Sequence, residues 1–180
     1  MYLDLNQTDG KLHKGDRLVS RSTNGHTLII PGYNNPTILQ LKKKADSILN
    51  PDSTIRGKLE VLTCLVYLHF TNHDERKFPK EMSLDYAIEN RMGVCKEFAA
   101  ALHMLLNMYG IHSRYVKGNL GSVGHAWLKV DAEEDGEVLI DPSYNFSGCS
   151  RRYDDFKKVI MQRTGELYQE DLAVIQREMS

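Results

Sequence analysis

The chain is poor in cysteine and has no long apolar run and no excess of either charge, and each shortage excludes something. Cys64, Cys95 and Cys149 are its three cysteines, an odd number with no Cys-x-x-Cys pair. That rules against a disulfide framework and a structural zinc knuckle, and at least one thiol is expected free. No stretch approaches the roughly 18 apolar residues of a membrane helix; the longest, Val61 to Phe70, is interrupted by Thr63 and His69. Lys and Arg number 23 against 24 Asp and Glu, a formal net charge of -1. Such a balance supplies no basic field, so neither nucleic acid nor a membrane is an expected partner. Residues Met1 to Asn6 lack the basic and apolar regions of a secretory signal, and the expected location is cytoplasmic, with export by a signal-less route as the alternative. What remains is an ordinary globular composition, 41% hydrophobic and 26% charged over 180 residues, which is expected to form one domain, 1–180.

The pattern along the chain is mixed. Arg17 to Thr23 and His26 to Ile30 flank Asn24-Gly25, a pair suited to a two-residue hairpin turn. Apolar residues then recur at helical spacing twice, as Ile38, Leu41, Ala45, Ile48, Leu49 and as Leu59, Leu62, Leu65, Val66, Phe70. The stretch from Asn72 to Lys80 reads as a loop, and Ser83 as the cap of a short helix to about Glu89. Phe98, Leu102, Leu105 and Tyr109 make one helical face beginning at Cys95, with Gly110 as its stop. Three strand-like segments follow, Ile111 to Lys117, His125 to Asp131 and Glu137 to Asp141, an antiparallel meander. Beyond it, Phe156, Val159, Ile160, Leu167, Leu172, Ile175 and Met179 suggest further helices. The class expected is α+β, with a nucleophile on a helix N-terminus packed on an antiparallel sheet.

Cys95 is placed where a thiol becomes useful. A free thiol is mostly protonated at neutral pH, whereas the first turn of a helix offers unpaired N–H groups and the positive end of a dipole to an anion. Gly93 leaves room there for a substrate backbone. If the strands around His125 and Asp141 pair through Ala132 to Gly136, the two residues stand almost opposite each other, close enough for the carboxylate to accept the imidazole Nδ1–H. A slip of one residue would separate them onto opposite faces.

Gly93-Val94-Cys95-Lys96-Glu97-Phe98-Ala99, Tyr109-Gly110-Ile111 with Arg114-Tyr115-Val116 and Gly118, His125-Ala126-Trp127 and Ile140-Asp141-Pro142, in that order, resemble the transglutaminase-like superfamily over about residues 55–145. The resemblance implies a papain-like thiol fold whose members include transglutaminases, cysteine peptidases, deamidases and inactive scaffolds. It implies Cys95 as nucleophile, His125 as general base and then acid, Asp141 as the group orienting the imidazole, and no cofactor. It also implies a thioester formed from a carboxamide of a peptide or protein, passed to water or to an amine acceptor. The Cys95 N–H would form half an oxyanion hole, and Tyr67, Asn72 and Tyr86 are candidates for its side-chain partner. Trp127, two residues from His125 on a strand, shares its face and is a candidate wall of the site, so Gly93, Trp127 and Tyr86 are the expected substrate-binding residues.

Other chemistry-bearing residues read more plainly. Cys64 belongs to an apolar helix face and is expected to be inert, Cys149 to be a surface thiol, and His103 a surface or core histidine. Asp131, Glu133, Glu134 and Asp135 lack the spacing of a calcium loop, and no metal is expected. Two other readings compete: arylamine N-acetyltransferase, which Arg91 before Gly-x-Cys resembles, and a non-catalytic binding module on the same fold.

Overall fold

The computed structural model describes residues 10–19, 25–120, 123–132, 136–144 and 146–148. The expected C-terminal helices, the Asn24 half of the hairpin turn, Cys149 and Glu133 to Asp135 lie outside these residues.

Local capping chemistry starts the helices. Helix α1 (Pro36–Asp46) has Pro36 in its first turn, and Asn35 accepts the Thr37 N–H. Helix α2 (Ile55–His69) is capped by Thr54, which accepts the Gly57 N–H. Its polar Thr63 is tolerated in the core because its hydroxyl donates to the Leu59 carbonyl at 2.6 Å. Helix α3 (Leu84–Glu89) follows Ser83, its N-cap. Helix α4 (Cys95–Met108) stops before Gly110, whose φ of 71° suits a residue without a Cβ.

Every residue of α4 from Lys96 to Leu106 is buried. A helix buried all round belongs in the middle of a fold, and α4 touches α1, α2 and α3 as well as two strands of the main sheet. That sheet is an antiparallel meander of β4 (Ser113–Leu120), β5 (Val123–Asp131), β6 (Glu137–Asp141) and β7 (Phe146–Gly148). The fold is α+β, as the sequence predicts, and its core helix delivers Cys95 to the layer between helices and sheet. No helix among the described residues is long and apolar enough to cross a membrane.

A second sheet is formed by β1 (Arg17–Val19), β2 (Thr27–Ile29) and β3 (Glu81–Ser83), with Leu18 opposite Leu28 in the antiparallel pair. The two strands pair antiparallel as the sequence pattern predicts, but not in its register: Val19 stands opposite Thr27, whereas a two-residue turn at Asn24-Gly25 would set it opposite Ile30. The parallel pairing of β2 with β3 lies outside that pattern: residues 81–83 read as the approach to a helix, and three residues are too few to display alternation. The strand is created by its partner, the Thr27 N–H donating to the Lys80 carbonyl at 2.9 Å. Strand β7 escaped the sequence reading for the same reason.

Candidate active site

Cys95 is the first residue of α4 and is partly exposed, so its thiol is reachable. A helix leaves its first N–H groups without partners four residues back; here the Glu97 N–H turns to the Val94 carbonyl at 3.0 Å, which leaves those of Cys95 and Lys96 at the start of the helix. The segment delivering it is held on both sides. Gly93 N–H donates to the Asn72 carbonyl at 2.9 Å, and the Gly93 carbonyl accepts from His73 Nδ1 at 2.9 Å. Asn72 also forms a parallel bridge with Met92.

His125 and Asp141 meet, although not in the register expected. Ile140 stands opposite Leu128, so Asp141 comes level with Trp127 and diagonal to His125. The slip is two residues, which preserves the face, and a diagonal pair remains within reach of a long side chain. The imidazole edge is also reversed. Nε2, not Nδ1, is 2.5 Å from Asp141 Oδ2, which turns Nδ1 to the remaining partner, the Cys95 thiol. Asp141 is fully buried, and its other oxygen accepts from Ser143 Oγ at 2.6 Å and from the Ser143 N–H at 3.2 Å. The turn Asp141-Pro142-Ser143 thus aims one carboxylate oxygen at the histidine and occupies the other.

Burial of His125 disfavours its charged form, but the negative charge of Asp141, the Cys95 sulfur and the hydrogen bonds the ring makes to both prevail and raise its pKa to about 10. The imidazolium is therefore the neutral-pH form. Trp127 stacks on the ring at 6.0 Å between centroids and 23° between planes, and Tyr144 tilts against it at 5.7 Å. The hydroxyls of Tyr144 and Tyr115 are pushed up in pKa, chiefly by burial, with the Asp141 carboxylate adding to it at Tyr144 and Glu97 at Tyr115, so both stay neutral. The site combines a thiol, an imidazolium, a buried carboxylate and aromatic walls.

Other candidates fare unevenly. The space at Gly93 is taken by Phe70, since a Cβ there would meet the ring at 2.7 Å and 2.9 Å. Packing, not a substrate backbone, accounts for that glycine. Tyr86 is exposed on α3, and the contacts described around His125 do not include it. Tyr67 packs at the edge of the core. Asn72 is tied to the nucleophile segment, but its Oδ1 accepts the Asp74 N–H. Arg91 hydrogen-bonds the Leu68 and His69 carbonyls at the end of α2 and adopts φ 54°. Its guanidinium is used as a helix cap.

His103 is a core histidine. Its Nε2 accepts from the Leu12 N–H and Asn107 Nδ2, and its Nδ1 pairs with Ser113 Oγ. Cys64 is half-buried on α2. Among the described residues, no group of three or more His, Cys, Asp or Glu side chains is placed to hold a metal ion. Ser143 and Tyr144 were missed as parts of the site, although the first signal, a serine two residues after an aspartate, is a familiar turn pattern. A group of buried His26, Lys96 and Glu97 with partly exposed Glu75 was missed entirely, because its members come from three distant segments.

Three solved structures are similar in fold. A candidate cysteine protease from Cytophaga hutchinsonii matches with TM-score 0.48 and 21% identity over 59% of this chain and 37% of its own. A structure named as a TGase matches with TM-score 0.46 and 21% identity over 59% and 30%. The periplasmic domain of TgpA from Pseudomonas aeruginosa matches with TM-score 0.47 and 19% identity over 62% and 43%. The chain thus spans between 30% and 43% of the length of these proteins. No curated protein matches its sequence. The model of one family does, that of the transglutaminase-like superfamily over residues 42–142, which include α2, α4 and the strands bearing His125 and Asp141. Over more than half its length the sequence carries that family's pattern, and the chain belongs to the transglutaminase-like superfamily.

Proposed function

We propose that the chain is a thiol enzyme that opens carboxamide or peptide bonds through a thioester on Cys95, with hydrolysis favoured slightly over transfer to an amine. The observation that carries this reading is the His125 imidazole, hydrogen-bonded on one edge by buried Asp141 and on the other by the Cys95 thiol. The pair would react as thiolate and imidazolium. The sulfur attacks the amide carbon, the first-turn N–H groups receive the developing oxyanion, and the imidazolium Nδ1–H goes to the departing ammonia or amine. The neutral imidazole then takes a proton from water or from an acceptor amine, whose attack releases the acyl group and restores the thiolate and imidazolium. Asp141 keeps its own proton state throughout and holds the ring. The expected substrate is a peptide or protein bearing glutamine or another accessible amide.

The test is iodoacetamide alkylation against pH with peptide mapping, in wild type and His125→Ala. Selective reaction of Cys95 near pH 6 that disappears in the variant supports the pair. Behaviour like a free thiol in both proteins overturns it, and a glutamine donor with a primary amine then distinguishes transfer from hydrolysis in the active case.

A further inference from the structure

Against the first turn of α4 lies a charged cluster that the reaction above does not use. Glu97, the third residue of the helix, is fully buried. Its Oε2 accepts the Val94 N–H at 2.9 Å, tying the residue before Cys95 to the turn after it. The usual reciprocal bond of such a box needs an N-cap hydroxyl, and valine has none, so this carboxylate alone makes the side-chain link. Glu97 Oε1 lies 2.7 Å from His26 Nε2, and His26 Nδ1 lies 3.0 Å from Glu75 Oε1.

Ionised carboxylates only accept hydrogen bonds, so a ring bonded to one at each nitrogen donates from both and is an imidazolium. Lys96 Nζ donates to the His26 carbonyl and stands 3.9 Å from Glu75, and the Phe78 ring meets His26 edge-on at 5.2 Å. Two cations therefore balance two anions in a nearly sealed space. Burial lowers the proton affinity of His26, but Glu75 and Glu97 raise it above its ordinary value, while Lys96 opposes them. The groups facing His26 are thus Glu75, from the 3₁₀ turn Glu75–Lys77, Phe78 at the end of that turn, and Lys96 and Glu97 from α4.

A buried carboxylate without a partner is costly, and it would shift or take up a proton. Movement releases the Val94 N–H and the turn that presents the thiol, and protonation weakens the bond that holds them. We propose that His26 is a positioning residue for Cys95: its doubly donating imidazolium clamps Glu97 against the first turn of α4 and neutralises that carboxylate beside the nucleophile. Strand β2, remote in sequence, thereby becomes part of the nucleophile's support. The inference rests on the reading of Cys95 as the nucleophile.

The experiment is again alkylation of Cys95 by iodoacetamide against pH, on full-length wild type, His26→Gln, His26→Ala, Glu75→Gln and His125→Ala, with folding checked by circular dichroism. His26→Gln retains a hydrogen-bond donor and loses the charge. Its expected result is a rate below neutral pH reduced roughly tenfold, with the half-plateau pH moved up by about one unit, because an uncompensated anion is left in the turn that presents the sulfur. A purely structural role would lower the melting temperature and leave that half-plateau pH in place. Glu75→Gln, a change at a partly exposed residue, is expected to give a smaller shift of the opposite sign, which keeps the test open if His26→Ala does not fold. An unchanged half-plateau pH in folded His26→Gln, with reactivity lost in His125→Ala, overturns the positioning role alone. Unchanged reactivity in both overturns the functional reading too.

Discussion

Gly93→Ala isolates the packing that delivers the nucleophile. The added methyl would lie 2.7 Å and 2.9 Å from two carbons of the Phe70 ring and 3.2 Å from Glu97 Cβ. Carbon atoms rest at about 3.5 to 4.0 Å, so a displacement of nearly an ångström is required. Little can yield: Phe70 is 2% exposed and its ring lies against Phe98 at 4.8 Å, while Gly93 is hydrogen-bonded through both its N–H and its carbonyl. Overpacking of this kind costs about 1–3 kcal/mol. Replacing glycine returns about 0.4–1 kcal/mol by restricting the unfolded chain. The expected net loss is about 1–2 kcal/mol, read from urea unfolding at an unchanged m-value. Phe70→Leu removes the obstructing ring edge, so the double variant should be more stable than the sum of the single losses, with a coupling of about 0.5–3 kcal/mol. Full stability of Gly93→Ala, or strict additivity with Phe70→Leu, would refute the packing account and return Gly93 to the role of clearance for a substrate.

Two further outcomes follow from the geometry. His125 has a pKa of about 10 when folded against about 6.5 when unfolded, so its contribution is complete below pH 6.5 and declines as pH rises through 10. With Cys95 as the thiolate of the proposed pair, the unfolded thiol holds the proton that the unfolded imidazole lacks up to about pH 8.5, so stability measured by urea unfolding should hold to there and fall as pH rises toward 10 in wild type, and Asp141→Asn should flatten the fall; parallel curves would count against the ion pair. At Gly118, a Cβ would collide with Trp127 Cη2 and lie 2.8 Å from its Cζ3. Gly118→Ala must then swing the ring off His125, and because Trp127 is the one tryptophan, its fluorescence should shift to the red, whereas an unaltered spectrum would contradict the stack.

The helices were legible because apolar spacing and capping residues are local: Ser83 stands where the sequence places a helix start and Gly110 where it places a stop, while Asn35 and Thr54 cap the two helices that the apolar spacing predicts. The three chemistry-bearing residues were legible because each sits in a short pattern, and because a two-residue slip leaves a side chain on its original face. Strands β3 and β7 were not, since three residues carry no periodicity until a neighbour supplies their hydrogen bonds.

The sequence by itself determined the α+β order of elements, the start of α4 at Cys95, the strands bearing His125 and Asp141, and the family to which the pattern belongs. Tertiary structure decided the strand register, the turning of Nε2 toward Asp141, the aromatic contacts of Trp127 and Tyr144 with the imidazole, and the filling of the space at Gly93 by Phe70. It alone gathered His26, Glu75, Lys96 and Glu97, because contacts between residues about 20 to 70 positions apart leave no periodic trace and are set by how buried charges find partners when the core closes.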